Sequence, residues 1–248
     1  MDLIEKTENL KRHPWELSRS QKIIDLLKNN DKNFLYADIG SGDKFFTSKL
    51  FSITECDVVA IDDKYKNTKS EENRIICLND ISFLENQSVD CVILMDVLEH
   101  IQNEHDFLKK VVKKLKPTGK VIITVPAMQF LFSSHDVFLK HYRRYSRNQL
   151  LNLLTHNGLI IEKNFYFYSQ LFLFRCISIF IEKFFLRNNE KKKLGIGSWS
   201  YSEHSFITRF IVLILNIDFE VNKLLSKMHI YLPGLSLLAI CRVGQRNV

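Results

Sequence analysis

This chain has little cysteine chemistry. Its five cysteines, Cys56, Cys77, Cys91, Cys176 and Cys241, are odd in number, widely spaced and mostly set inside apolar runs. No CxxC and no Cys/His cluster occurs, so neither a disulfide frame nor a zinc site is indicated, and buried reduced thiols in a cytoplasmic protein fit best. No uncharged apolar run reaches the roughly 18 residues that a membrane-spanning helix needs. The segment Met1–Lys11 is charged and lacks an apolar h-region, so no secretory signal is expected. An appended RNA-binding module and an Asn-Pro-Pro-Tyr-type base motif are also missing, which argues against a nucleic-acid substrate.

What is present fits a folded soluble protein. The 248 residues can bury one good core with an elaboration, and 46% hydrophobic with 25% charged residues is ordinary. The net charge of +7 favours anionic partners. Phenylalanine is abundant at 19, and much of it lies after residue 164.

The chain is organised around Tyr36-Ala37-Asp38-Ile39-Gly40-Ser41-Gly42-Asp43. An apolar run ends in an acid and two close glycines, and a helix-like segment follows from Lys44 to Leu50. That order predicts a buried strand, a tight turn and a helix start whose backbone N–H groups a ligand can approach. A second strand, Val58–Ile61, ends in Asp62-Asp63, where an acid can accept bonds from the two hydroxyls of a ribose. A third, 74–78, ends at Asn79-Asp80-Ile81, and a fourth, Val89–Met95, ends at Asp96-Val97-Leu98-Glu99-His100. Glu99-His100 reads as a cap for the next helix, 103–116, which is followed by Pro117 and strand 120–125. Alternating strands and helices predict an α/β fold with a parallel sheet, whose ligands bind beyond the carboxyl ends of the strands. The polar strand ends all fall on that edge.

Upstream, residues 14–28 read as an amphipathic helix, either packing Trp15 on the core or closing as a lid with Arg19 facing a ligand carboxylate. Downstream, residues 127–145 read as a long loop on the ligand edge, with His135-Asp136 and His141-Tyr142-Arg143-Arg144-Tyr145. Ser146–Gln149 reads as a capping box for helix 147–156, Gly158 ends it, and strand 159–166 follows. Residues 167–233 depart from the repeat. Two apolar helices, Tyr168–Leu186 and about 203–227, flank a polar turn with Lys191-Lys192-Lys193 and Gly195-Ile196-Gly197. Their wide apolar faces fit an anionic membrane surface, a homodimer contact or a cap packed on the sheet. Pro233-Gly234 makes a turn into strand 235–243.

Together these residues resemble the class I S-adenosylmethionine-dependent methyltransferases. Asp38-Ile39-Gly40-Ser41-Gly42 is similar to the family's glycine-rich motif, Asp62 to its ribose-binding acid, and Asp80 to the residue that meets the adenine amino group. Asp96–Ile101 resembles the segment after strand four, and Leu115–Lys120 the turn into strand five. The resemblance implies a Rossmann-like, seven-stranded, mostly parallel sheet with an antiparallel last strand, helices on both faces and a helical insertion. It implies a core of residues 1–166 and 234–248, with 1–30 as an N-terminal helical lid and 167–233 as the insertion. The cofactor is S-adenosyl-L-methionine. Trp15 and Arg19 from the lid, Asp38, Gly40, Ser41 and Gly42 from the turn, Asp62 and Asp63, Asn79, Asp80 and Ile81, and Met95 and Asp96 are expected to hold it. One departure is Lys44, where the family commonly has a third glycine.

A narrower likeness rests on His13-Pro14-Trp15-Glu16, the loop Ser134–Tyr145 and Pro233–Leu237. These resemble a bacterial branch associated with cell-surface polysaccharide or lipid-linked sugar pathways. The expected reaction is methyl transfer to oxygen of a sugar or other small or lipid-linked acceptor. The alternatives are a quinone or lipid methyltransferase and a non-catalytic cofactor-binding subunit of a glycan-assembly complex. An alcohol is a poor nucleophile at neutral pH, so a base is sought, and His135, Asp136 and His141 are the candidates. Tyr142, Arg143, Arg144 and Tyr145 are candidates for the acceptor, the arginines as phosphate or carboxylate clamps. No metal is assigned. A cytoplasmic location, peripheral on the inner membrane face for a lipid-linked acceptor, follows from these expectations.

Overall fold

The computed structural model describes residues 11–27, 33–54, 56–66, 69–72, 75–185 and 201–244. The lysine run 191–193 and the Gly195–Gly197 segment fall outside them. In chain order the main elements begin α1 (Pro14–Leu27), β1 (Leu35–Ile39), α2 (Phe45–Thr54), β2 (Asp57–Ile61), β3 (Lys69–Glu72), β4 (Ile75–Leu78) and β5 (Val89–Met95). They continue with α3 (Glu104–Lys114), β6 (Leu115–Pro126), α4 (Ser134–Phe138), α5 (Arg147–His156), β7 (Leu159–Phe167), α6 (Ser169–Phe185), α7 (Phe206–Lys227) and β8 (Ser236–Val243).

One sheet runs in the order β3-β4-β2-β1-β5-β6-β8-β7. β4, β2, β1, β5 and β6 are parallel neighbours, and β8 lies antiparallel between β6 and β7. This is the expected seven-stranded arrangement with one addition, β3, paired antiparallel to β4 at the edge. The Lys-Ser-Glu-Glu sequence of β3 has no apolar alternation, so nothing in its pattern marks a strand, and charge suits an edge.

The strands are buried on both faces because helices cover both. Ala37 and Ile39 of β1 join a core with Leu108 and Val111 of α3 and Leu150 and Leu154 of α5. Tyr36, on the opposite face, packs with Ile23 and Ile24 of α1, Leu50 of α2 and Phe219 of α7. The period of two along the strand sends successive side chains to these two layers.

Two boundaries differ from the sequence expectation. Asn103, and not Glu99-His100, caps α3, its side chain accepting from the Asp106 N–H at 3.3 Å. Glu99 and His100 lie in a separate 3₁₀ turn, Leu98–His100. The helix also stops at Lys114, and β6 takes Leu115 and Lys116. The residue before Pro117 is disfavoured in the helical region, which explains the early end.

The 167–233 region is fastened to the sheet by α7. Phe219 meets Phe165 and Phe167 edge-on at 5.1 and 5.4 Å. Asp218 accepts from the backbone N–H groups of Tyr168 and Ser169 at 2.6 and 3.1 Å, satisfying the start of α6. On α1, Ser18 donates to Asn216 at 2.8 Å and Lys22 to Glu220 at 3.0 Å. Gly234 is required where the chain enters β8, because a Cβ there would stand 2.3 Å from the Phe167 carbonyl oxygen.

Candidate active site

The carboxyl ends of β1, β2, β4, β5 and β6 share one edge, and the turns after them build a cleft. Glu16, Arg19 and Ser20 of α1, Asp38, Gly40, Ser41 and Asp43 of the first turn, Phe45 and Phe46 of α2 and Met95 of β5 line it. The first turn needs its glycines. Gly40 and Gly42 have φ of 75° and 53°, and a Cβ on Gly40 would meet Val97 Cγ2 at 2.6 Å. Asp62 accepts from the N–H groups of Gly42 at 2.8 Å and Lys64 at 3.0 Å, and so joins the β2 end to the turn. Each carboxylate oxygen keeps a further lone pair for a ligand hydroxyl. Ser41 is buried, its Oγ 2.8 Å from the Tyr65 hydroxyl. Asp80 caps the turn Ile81–Phe83 by accepting from the Ser82 N–H at 2.7 Å, and it is exposed, as is Asp63. Asn79 is half-buried and Ile81 buried beside it.

Lys44 explains itself geometrically. It adopts φ 63°, the left-handed region where glycine is least costly. The family's third glycine therefore answers a backbone demand that this chain meets with a lysine, whose ammonium lies 5.6 Å from the Tyr65 ring centroid.

Helix α1 and the residues just before it close one side of the cleft through two ion pairs. Arg12 pairs with Asp43 and Arg19 with Asp96. Arg19 also stacks on Trp15, 4.6 Å from its ring. Asp96 itself has φ 55° and accepts from the Thr124 hydroxyl at 3.2 Å, so the residue after β5 is held in a costly conformation by surrounding bonds.

Asp38 is buried at the end of β1 and receives the Thr47 hydroxyl. Burial pushes its carboxyl up to about 6, with the Thr47 bond opposing and nearby Asp62 adding. The folded protein thus holds this proton more tightly than the unfolded chain, whose carboxyl titrates near 3.8. Stability must fall as pH rises across that window, by up to about 3 kcal/mol. Asn keeps an acceptor for Thr47 without the charge. Asp38→Asn is expected to be more stable than wild type in urea unfolding at about pH 8, by 1–3 kcal/mol on the order of magnitude of that gap, with the difference gone near pH 4. A variant less stable at pH 8 contradicts this.

The segment 127–145 carries the second group. It is not a bare loop: a capping box between Ser133 and Asp136 starts the short helix α4. Asp136 is wholly buried and accepts from the Ser133 N–H at 3.0 Å, His141 Nδ1 at 3.0 Å and Arg144 Nε at 2.8 Å. Burial would raise this carboxyl, but the His141 and Arg144 bonds hold it well below the usual range. Arg144 is buried, and its Nη1 also donates to the Ala127 carbonyl at 3.4 Å. Tyr145 is buried too, its hydroxyl 3.1 Å from the Leu98 carbonyl. Arg143 pairs with Glu104 and donates to the Gln102 carbonyl at 3.0 Å. Of the four residues nominated for the acceptor, Tyr142 is the one whose side chain is exposed. His135 is buried in the same helix, and burial together with Arg175 lowers its pKa.

Sequence reasoning missed Glu99 as a site residue. Its side chain is wholly buried beside Asp96, and desolvation followed by that neighbouring charge raises its carboxyl well above the usual range. An acid in a strand-to-helix run carries no sequence mark of such burial. Thr47 and Tyr65 were missed as well, being ordinary polar residues until the fold brings them to Asp38 and Ser41.

Residues 37–123 match the protein-family model described as a methyltransferase domain. The match spans the glycine turn, Asp62, Asp80 and the Asp96 segment on the cleft edge. The chain carries a class I S-adenosylmethionine-dependent methyltransferase domain. Solved structures share its fold at low identity. A SAM-dependent methyltransferase from Archaeoglobus fulgidus is 16% identical over 92% of this chain and 94% of its own, with a TM-score of 0.56. The phosphoethanolamine N-methyltransferase 2 of Haemonchus contortus, solved with S-adenosyl-L-methionine, is 15% identical over 91% of this chain and 52% of its own, TM-score 0.52. A geranyl diphosphate methyltransferase is 10% identical over 90% and 76%, TM-score 0.55. No curated protein matches the sequence significantly. The neighbours' own names cover different acceptors, so the fold does not set the acceptor of this methyltransferase domain. Its residues fit the cofactor: a turn with no room for a Cβ at Gly40, an acid at the β2 end, and a buried acid in the cleft. The bound cofactor supplies an electrophilic methyl group on a sulfonium.

Proposed function

We propose that this domain transfers a methyl group to a hydroxyl oxygen of a sugar or other small or lipid-linked acceptor. The observation that carries it is the Asp136–His141 pair. Asp136 fixes Nδ1 of His141 as the protonated nitrogen, which leaves Nε2 a lone pair to activate a hydroxyl. Trp15, Arg19, Asp38, Gly40, Ser41, Gly42, Asp62, Asp63, Asn79, Asp80, Ile81, Met95 and Asp96 hold the cofactor, and Tyr142 faces the acceptor. Holding acceptor and methyl in line supplies about 7–11 kcal/mol in well-oriented systems, so most of the rate comes from positioning. Arg144 and Tyr145 keep the loop in shape around His141.

The test is methyl labelling. Wild-type protein given methyl-labelled S-adenosylmethionine and a cell extract should place label in a product from which mild base does not release it but hydriodic acid does as methyl iodide, as a methyl ether requires. His141→Ala should lose that label while still binding S-adenosylhomocysteine. Base-labile label, or label undiminished in the variant, contradicts the hydroxyl assignment.

The lipid-linked form of the acceptor is favoured by one further observation. Leu173, Phe174 and Ile177 of α6 and Phe206, Phe210 and Leu213 of α7 are all more than half exposed. Among the described residues no helix is long and apolar enough to cross a membrane, so such faces suit the interface of an anionic leaflet. The protein should co-sediment with anionic liposomes, less so in high salt. Equal recovery in the supernatant with and without lipid contradicts the membrane reading, and a concentration-dependent dimer would place the same faces between two copies.

A further inference from the structure

The 3₁₀ turn after β5 and the loop after β6 meet at residues outside those assigned to the cofactor. The Tyr142 N–H donates to the Glu99 carbonyl at 2.8 Å, which brings His141 over the turn. The His100 and His141 rings lie edge-on, 4.6 Å between centroids. One ligand atom each from Glu99, His100 and His141 falls in a group no more than 4.8 Å apart.

Glu99 distinguishes this cluster from a surface coincidence. Its carboxylate is wholly buried, and apart from its own backbone N–H neither oxygen has a hydrogen-bond partner among the described residues. A buried carboxyl without partners is costly, and buried charges are normally paired or bound to a metal. The second sphere is also in place. Asp136 accepts from Nδ1 of His141 at 3.0 Å, and Arg144 and the Ser133 N–H hold Asp136 in turn. A carboxylate behind a histidine is how metal-ligating imidazoles are usually oriented.

We infer that Glu99, His100 and His141 form a binding site for one first-row divalent cation, beside the cofactor cleft. One oxygen and two imidazole nitrogens favour manganese, iron, cobalt or zinc over magnesium or calcium. Ligand atoms about 2.1 Å from a common ion stand closer together than the present group, so binding draws the three side chains inward. Three protein ligands leave coordination positions open for an acceptor hydroxyl. This use of the cation rests on the proposed oxygen methylation, whereas the binding site itself does not. In that use the hydroxyl proton passes to water. The new C–O bond forms as the methyl C–S bond breaks, and the bonding pair stays on sulfur. With the cation bound, Nε2 of His141 is a ligand and no longer the base, and it favours loss of the hydroxyl proton only through the cation.

The test is titration of the tag-free full chain with Co²⁺, followed by visible absorption. One equivalent per chain should develop d–d bands. Glu99→Gln, which matches the side chain in shape, and His141→Ala should each abolish them at that stoichiometry. Asp136→Asn should weaken Co²⁺ binding about 10–100-fold. Circular dichroism checks folding, and if His141→Ala does not fold, Glu99→Gln carries the test. Absence of bands with excess Co²⁺, or bands kept by Glu99→Gln, overturns the site. S-adenosylhomocysteine calorimetry on the same sample separates the two claims: heat without Co²⁺ bands overturns the cation site alone, and bands without heat overturn the methyltransferase reading alone.

Discussion

Asp136→Ala is expected to lower the free energy of unfolding by about 3–5 kcal/mol, the cost of breaking a buried ion pair from one side. The substitution strands the buried guanidinium of Arg144, removes the partner of His141 and opens the capping box of α4. Urea denaturation of wild type, Asp136→Ala and Asp136→Asn measures it, with Asn intermediate because it keeps one acceptor. The pH dependence has the opposite sign to that of Asp38. The Asp136 carboxyl is held far below the 3.8 of an unfolded chain. Its contribution is therefore complete above that pH and is lost only as solution becomes strongly acid. An Asp136→Ala protein as stable as wild type at neutral pH would mean that this network does not hold the loop.

Asp62→Ala is expected to weaken S-adenosylhomocysteine binding by about 100-fold or more. Two hydrogen bonds from ribose hydroxyls to a carboxylate are worth roughly 1.5–3 kcal/mol each. The same side chain orders the turn by accepting from Gly42 and Lys64, so its loss also loosens the backbone that must meet the ligand. The ligand-induced rise in melting temperature reads the effect: wild type should shift upward and Asp62→Ala hardly at all. Equal shifts in the two proteins would move the ribose elsewhere.

The features legible in the sequence were those written locally. Apolar runs ending in acids marked β1, β2, β4 and β5, and the order of strands and turns was enough to place the cleft on one edge. The Ser146–Gln149 capping box and the Gly158 stop (φ 80°) also stand where the spacing puts them. Polar β3 was invisible because a strand's main signal is apolar alternation, and the five-residue α4 was too short to show a helical period. The site was half legible. Gly40, Asp62 and Asp80 stand just beyond the carboxyl ends of β1, β2 and β4. The burial of Glu99 depends on packing, Arg19 pairs with Asp96 from far along the chain, and Arg144 turns back to Asp136 off any helical or strand period, none of which a local pattern encodes. Lys44 shows the reverse case. It reads as a departure in sequence, yet its φ of 63° preserves the turn that a glycine would make.

The central claim is that the edge of the sheet binds S-adenosylmethionine. Isothermal titration of the wild-type chain with S-adenosylhomocysteine tests it most directly. Saturable heat with one ligand per chain is expected. No heat, with the protein folded by circular dichroism, would contradict it.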